Sequence, residues 1–215
     1  MKIKGAVLDM DGLMFDTETL TYKLQKEILK NDGFKFSLED YKQTVGKRLA
    51  DLTPLFHKAF GDDFDLDAFR AKCREAYINY TDENGVPVKD GLFDLLEKLK
   101  ANKIKIALAT STTSKSAKRT LKIAGVLEYF DEFVCAEDVE NGKPHPEAFL
   151  KAAEKLSLKP EDCVALEDSF NGIKSASAAG MITVMVPDLI EPTEEIKNKC
   201  DYIFKSLKDV IEIVD

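Results

Sequence analysis

The chain has no tryptophan, only two histidines, and four cysteines scattered as Cys73, Cys135, Cys163 and Cys200. With no Cys-x-x-Cys pair and no histidine at zinc-finger spacing, a structural zinc site is not indicated, and the thiols read as small buried hydrophobes of a reducing compartment. Long hydrophobic runs are missing as well. The apolar stretch within MKIKGAVLDMDG is far too short for a signal peptide or a membrane span, and aspartates follow it at once, so cytoplasmic residence and no membrane partner are expected. Excess positive charge is absent too: the formal net charge is −8. That balance argues against a nucleic-acid binder or a partner of anionic lipids, both of which call for clustered Lys and Arg. What is present is a chain of 215 residues, 44% hydrophobic, long enough for one domain with a sizeable insertion or for two small domains. A small molecule is the expected partner. If it is anionic, a metal or a few placed cations must overcome the acidic surface locally.

Short apolar runs bounded by polar or turn residues recur at Ile3–Leu8, Ile104–Ala109, Phe133–Ala136, Cys163–Leu166 and Ile182–Val186. They read as buried strands. Between them, Leu92–Ala101, Ser114–Ala124, Pro146–Leu156 and Phe170–Ala179 have helical length and period, with Gly125 and Gly180 placed as C-terminal stops. Strand alternating with helix predicts an α/β fold, a doubly wound, Rossmann-like parallel sheet covered on both faces. From residue 17 to residue 86 only helical patterns occur, namely Leu20–Asn31, Asp51–Phe60 and Leu66–Thr81. This stretch predicts an α-helical cap domain inserted into a core formed by residues 1–16 and 87–215, with hinges in the polar segments Asp16–Glu18 and Glu83–Val88. Nothing in the pattern marks an exposed apolar stripe, so a monomer is expected.

Ligands of open parallel sheets bind beyond the carboxyl ends of the strands. There the sequence places Asp9, Asp11 and Gly12 after the first run, Thr110 and Ser111 after the second, and Glu167 and Asp168 after the fourth, with Lys143 before a helix opened by Pro144 and Pro146. Singly, each has a plain structural reading: an acidic turn, a helix cap, a solvated lysine, a cap followed by a first-turn acid. Their order along the chain favours a site for phosphate and metal. A phosphate dianion brought to a carboxylate nucleophile meets a repulsion of roughly 4 kcal/mol at about 4 Å and an effective dielectric near 20. Mg²⁺ on Asp9, Glu167 and Asp168, helped by Lys143, would offset it. The Thr110 hydroxyl and the backbone N–H groups of Ser111 and Asp11 would hold the equatorial oxygens. Asp9 would attack phosphorus while Asp11 protonates the leaving oxygen and later deprotonates water, with Gly12 allowing the sharp turn beside them.

The stretches AVLDMDGLMFDTE, LATST, GKPHPEAF and LEDSFNGIKSASAAGM resemble the four motifs of the haloacid dehalogenase-like hydrolase superfamily, and the match spans the whole chain. The likeness is greatest to the helical-cap subfamily of beta-phosphoglucomutase-like phosphatases, 2-deoxyglucose-6-phosphatase and pseudouridine-5′-phosphatase. The resemblance implies a Mg²⁺-dependent phosphomonoester hydrolase acting on a small phosphorylated metabolite through an aspartyl-phosphate. By that likeness Asp9 is the nucleophile and Asp11 the acid/base. Thr110 and Lys143 bind phosphate, and Asp9, the Asp11 carbonyl, Glu167 and Asp168 form the metal site. Asn171 is placed beside them as a supporting or phosphate-loop group. Asp11 argues against a dehalogenase, a branch that needs neither this second aspartate nor a metal. A phosphomutase is the alternative, although the sugar mutases this chain resembles carry a cap histidine where it has Thr21. A non-catalytic phosphate sensor is the reading from a different class, and the pairing of Asp9 with Asp11 speaks against it. In the cap, Lys47 and Arg48, after Gly46 in a break between helices, are candidate substrate contacts, and Glu18 and Thr21 are expected at the same junction. His57 and His145 are assigned no chemistry.

Overall fold

A computed structural model describes residues 3–45 and 49–214, apart from the side chain of Leu49. The chain divides into two compact units, Met1–Asp16 with Val86–Asp215, and Thr17–Gly85. The first is an α/β unit. Its sheet contains β1 (Gly5–Leu8), β2 (Lys105–Ala109), β3 (Glu132–Val134), β4 (Cys163–Glu167), β5 (Ile182–Met185) and β6 (Tyr202–Ile203), in the order β3-β2-β1-β4-β5-β6. All pairings are parallel, with Leu8 facing Leu108 on one side and Leu166 on the other. The strand order reverses at β1: from β2 the chain proceeds outward to β3 on one side, and from β4 it proceeds outward to β5 and β6 on the other. A crevice at such a switch point is where a doubly wound sheet receives its ligand.

Burial explains why these runs became strands. Successive side chains of a strand point to opposite faces. Ala6 and Leu8 therefore join Ile106, Leu108, Val164 and Leu166 in a core with Leu92, Leu95, Leu96 and Leu99 from α5 (Leu92–Ala101) and with Ala117 and Leu121 from α6 (Ser114–Ile123). Val7 faces the other way, with Ala107 and Ala165, against Phe149, Ala152 and Ala153 of α7 (Glu147–Lys155) and Ala176 of α8 (Phe170–Ala178). A strand buried on both sides shows no polar alternation, which is why the sequence presents it as a continuous apolar run.

Two expectations need correction. The sheet has six strands against the five apolar runs, because β6 is a two-residue edge strand, Tyr202–Ile203, with both side chains exposed and too short to register as a run. The short helices α9 (Glu194–Lys197) and α10 (Ile211–Val214) also escaped notice, since one turn is too little for a period to register.

The Thr17–Gly85 unit is helical throughout its described secondary structure: α1 (Thr17–Asn31), α2 (Leu38–Lys42), α3 (Leu49–Phe60) and α4 (Leu66–Asn84). Its centre is aromatic. Phe34 lies 4.9 Å from Phe60 between ring centroids, Phe60 lies 5.1 Å from Phe64, and Phe56 lies 5.5 Å from Phe69. The five-residue α2 was not anticipated. A reciprocal capping box starts it: the Asp40 amide donates to the Ser37 hydroxyl, and the Ser37 amide donates to the Asp40 carboxylate. Among the described residues no helix is long and apolar enough to cross a membrane.

Candidate active site

Parallel register delivers the polar residues of four chain segments to one end of the sheet. Asp9 directly follows β1, and its amide donates to the Leu166 carbonyl of β4 at 3.0 Å. Asp9 is thereby buried, 8% exposed, one residue beyond the last aliphatic side chain of its strand. Glu167 ends β4 and is fully buried. Thr110 follows β2, is 4% exposed, and its hydroxyl accepts from the Thr112 amide at 3.1 Å, so it does not cap α6. The chain leaves Asp9 through a tight loop in which Gly12 takes φ +83°, a left-handed conformation suited to glycine. A Cβ at Gly12 would also collide with the Asp168 carboxylate, so the absent side chain makes room for the acid.

Lys143 unites the cluster. Its ammonium donates to Asp9 Oδ1 at 2.6 Å, to Glu167 Oε1 at 2.6 Å and to the Ala109 carbonyl at 2.8 Å, with the Phe149 ring 5.0 Å away. The other Glu167 oxygen, Oε2, accepts from the Asp168 amide (3.1 Å), the Ser169 amide (3.1 Å) and the Ser169 hydroxyl (3.0 Å). Ser169 is also the N-cap of α8, accepting from the Gly172 amide, so Glu167 and Asp168 precede the helix and do not cap it. Gly172 has no side chain where any Cβ would strike the Glu167 carboxylate.

Carboxylate oxygens of Asp9, Glu167 and Asp168 all lie within 4.8 Å of one another. Three carboxylates against the single Lys143 ammonium leave this cluster an excess of negative charge. The titration of the groups reflects it. Burial pushes Asp9 up to about 7, and Lys143 restrains that rise more than Glu167 adds to it. Asp168 is likewise held well above the ordinary carboxylate range, first by burial and then by Glu167, Asp9 and Asp188. For Lys143 burial alone would favour the neutral amine, but Asp9 and Glu167 outweigh it and hold the ammonium firmly protonated. An oxygen-rich pocket with surplus negative charge suits a hard divalent cation.

The profile of a family described as haloacid dehalogenase-like hydrolase matches residues 6–186, a span that contains every one of these groups. The chain belongs to the haloacid dehalogenase-like hydrolases. Among relatives of this hydrolase, a "Phosphorylated carbohydrates phosphatase" of Thermotoga maritima is 30% identical over 83% of this chain and 82% of its own. A Drosophila melanogaster protein named as a probable pseudouridine-5′-phosphatase is 33% identical over 87% of this chain and 83% of its own. Of solved structures, a beta-phosphoglucomutase from Clostridium difficile superimposes with a TM-score of 0.74 at 26% identity, covering 97% of this chain and 93% of that one. The hydrolase is thus an enzyme of the family's phosphatase group, acting on phosphorylated metabolites.

Of the residues singled out from the sequence of this hydrolase, Asp9, Lys143, Glu167 and Asp168 meet in one cluster. Asp11, Gly12 and Thr110 stand in the loops that flank it. Ser111 and Asn171 are exposed, the latter in the first turn of α8. Lys47 and Arg48 lie outside the described residues. Three participants were not anticipated: Ser169, Gly172 and Thr112, whose hydroxyl donates to Asp11 Oδ2 at 2.9 Å. All three fall inside the recognised motifs; Ser169 and Gly172 lie one and four residues after Asp168 and Thr112 two after Thr110, so proximity in sequence to a flagged residue is the signal that could have found them.

Proposed function

We propose that this hydrolase is a Mg²⁺-dependent phosphomonoesterase for small phosphorylated metabolites, working through a phosphorylated Asp9. The observation that carries the reading is the Lys143 ammonium bonded at once to Asp9 and Glu167, with Asp168 in the same cluster. A cation locked there screens the nucleophile from the incoming phosphate dianion and leaves room for one more positive charge, the excess of carboxylates being unbalanced without it. Asp9, Asp168 and the Asp11 carbonyl, with Glu167 beside them, would hold Mg²⁺. When bound it would supply Lewis-acid neutralisation of the phosphoryl oxygens.

The protein's own groups account for the rest. An Asp9 oxygen forms a bond to phosphorus as the bond to the leaving oxygen breaks, and Asp11 delivers its proton to that oxygen. The Asp11 carboxylate then takes a proton from water, whose oxygen bonds to phosphorus as the Asp9 acyl-phosphate bond breaks. Thr110, Lys143 and the Ser111 amide would hold the equatorial oxygens, and Gly12 keeps the loop close to Asp168.

The named activities of the Thermotoga and Drosophila relatives favour a phosphorylated carbohydrate or a nucleoside-type phosphate as substrate. Likeness to a beta-phosphoglucomutase keeps a mutase as the second reading, against which Thr21 stands in place of the mutases' histidine. A magnesium-supplemented screen across phosphorylated metabolites, including beta-glucose 1-phosphate with its bisphosphate activator, separates the two. Release of inorganic phosphate that stops with chelator supports the phosphatase. Isomerised sugar phosphate without phosphate release would support the mutase, and turnover that survives chelation would contradict the metal assignment.

A further inference from the structure

Adjacent strands β1 and β2 run in register, Leu8 beside Leu108, so the loops that follow them emerge side by side. Asp11 stands in the first loop and Thr112 in the second, and the Thr112 hydroxyl donates to Asp11 Oδ2 at 2.9 Å. Thr112 is itself held from both directions. Its amide donates to the Thr110 hydroxyl at 3.1 Å, and its carbonyl accepts from the Ala136 amide at 3.1 Å. A hydroxyl whose backbone is anchored within its own loop and to the segment after β3 is a rigid donor, whereas the side chain it holds lies in a short loop and is only half-buried. Removing that donor leaves the backbone anchors of Thr112 intact.

We propose that Thr112 is a positioning residue for Asp11: its hydroxyl fixes the plane of the Asp11 carboxyl so that the acid/base aspartate meets the leaving-group oxygen and then the attacking water. This inference rests on the reading of Asp11 as the acid/base. It adds a residue outside the nucleophile, the phosphate ligands and the metal set, and gives it a function distinct from holding phosphate. In the first step the proton passes from Asp11 to the leaving oxygen as the phosphorus–oxygen bond breaks. In the second, the same carboxyl accepts a proton from water. Misplacing Asp11 therefore matters most where the leaving oxygen cannot depart unprotonated.

The test compares kcat/KM, which reports phosphoryl transfer to the enzyme, for two leaving groups in the presence of Mg²⁺. One is para-nitrophenyl phosphate, whose phenolate leaves without help. The other is the best alkyl phosphate found in the metabolite screen. For Thr112→Val, kcat/KM should fall by about tenfold or more on the alkyl ester and by no more than about threefold on the aryl ester. Thr112→Ser, which restores the hydroxyl, should return both to within about threefold of the parent enzyme. Thr112→Ala provides a smaller hydroxyl-free variant should valine disturb the fold, and its expected selectivity is the same. Equal losses on both esters, no loss on either, or failure of serine to rescue would each overturn the proposal. Asp9→Asn, assayed alongside, separates the two levels. If it stays active, the phosphatase mechanism itself fails, whereas an inactive Asp9→Asn with an unselective Thr112→Val sinks only the role given to Thr112.

Discussion

Among the described residues of the α/β unit, Asp9 and Glu167 lie in the interior beside aliphatic side chains, whereas the Thr17–Gly85 unit buries phenylalanine rings and, of its polar side chains, only Thr17 and Thr81. Burying an ionised carboxylate costs several kcal/mol unless it is paired. Burying a phenylalanine ring is favourable by about 1.5–3 kcal/mol. One unit thus accepts an electrostatic cost at the ends of its central strands, and the other shows packing with no comparable cost. Perturbed buried charge clusters at functional sites, so the comparison favours the α/β unit as the seat of the proposed reaction.

The sharpest way to break this comparison is to remove charge from the costly region. Asp9→Asn should reduce turnover by about 10⁴-fold or more while leaving the fold intact, as judged by steady-state kinetics beside a thermal melt. Because burial already holds Asp9 well up towards neutrality, the uncharged amide should leave the metal-free protein at least as stable as the parent above about pH 7. A large fall in melting temperature would show that Asp9 is structural.

Removing the cation instead should be expensive. Lys143→Met strands two buried carboxylates and should cost about 3–5 kcal/mol of unfolding free energy in denaturant titration, besides abolishing turnover. In the helical unit, Phe56→Leu trims a ring packed among Phe36, Phe60, Phe64 and Phe69 and should cost about 1.5 kcal/mol, with kcat on para-nitrophenyl phosphate unchanged. A collapse of kcat in that variant would place part of the chemistry outside the α/β unit.

Much of this was legible in the order of residues. Strands buried on both faces, such as β1 and β4, appear as plain apolar runs, and an acid directly after each run marks the end of the sheet that bears the site. The helices α1, α3 and α4 were readable because each is long enough for its apolar period to repeat. What could not be read is short or relational. The strand β6 has two residues, both exposed, and owes its place to pairing with β5. Gly172 looks like an unfavourable residue in a helix, and its reason is the Glu167 carboxylate lying where its side chain would be. Thr112 looks like one hydroxyl among several in STTS, and only the pairing of β1 with β2 sets it against Asp11.

The smallest expected effect refines the electrostatics. The folded-state pKa of Asp9, about 7, lies above its ordinary 3.8, so between those values the metal-free native state binds more protons than the unfolded chain. Stability contributed by this group is present at the acidic end and is lost as pH rises towards about 7. Mg²⁺ competes with that proton. The rise in melting temperature on adding Mg²⁺ should therefore be larger near about pH 8 than near about pH 6. An equal shift at both values would mean that the cation binds away from Asp9.

The most direct measurement is the mass of the protein quenched in acid during turnover of a phosphorylated metabolite with Mg²⁺, followed by fragmentation of the peptide that spans Asp9 and Asp11. One added phosphoryl group on Asp9, increased in Asp11→Asn and absent from Asp9→Asn, is the predicted result. A phosphoryl group carried on any other residue, or full hydrolysis by Asp9→Asn, would contradict the account.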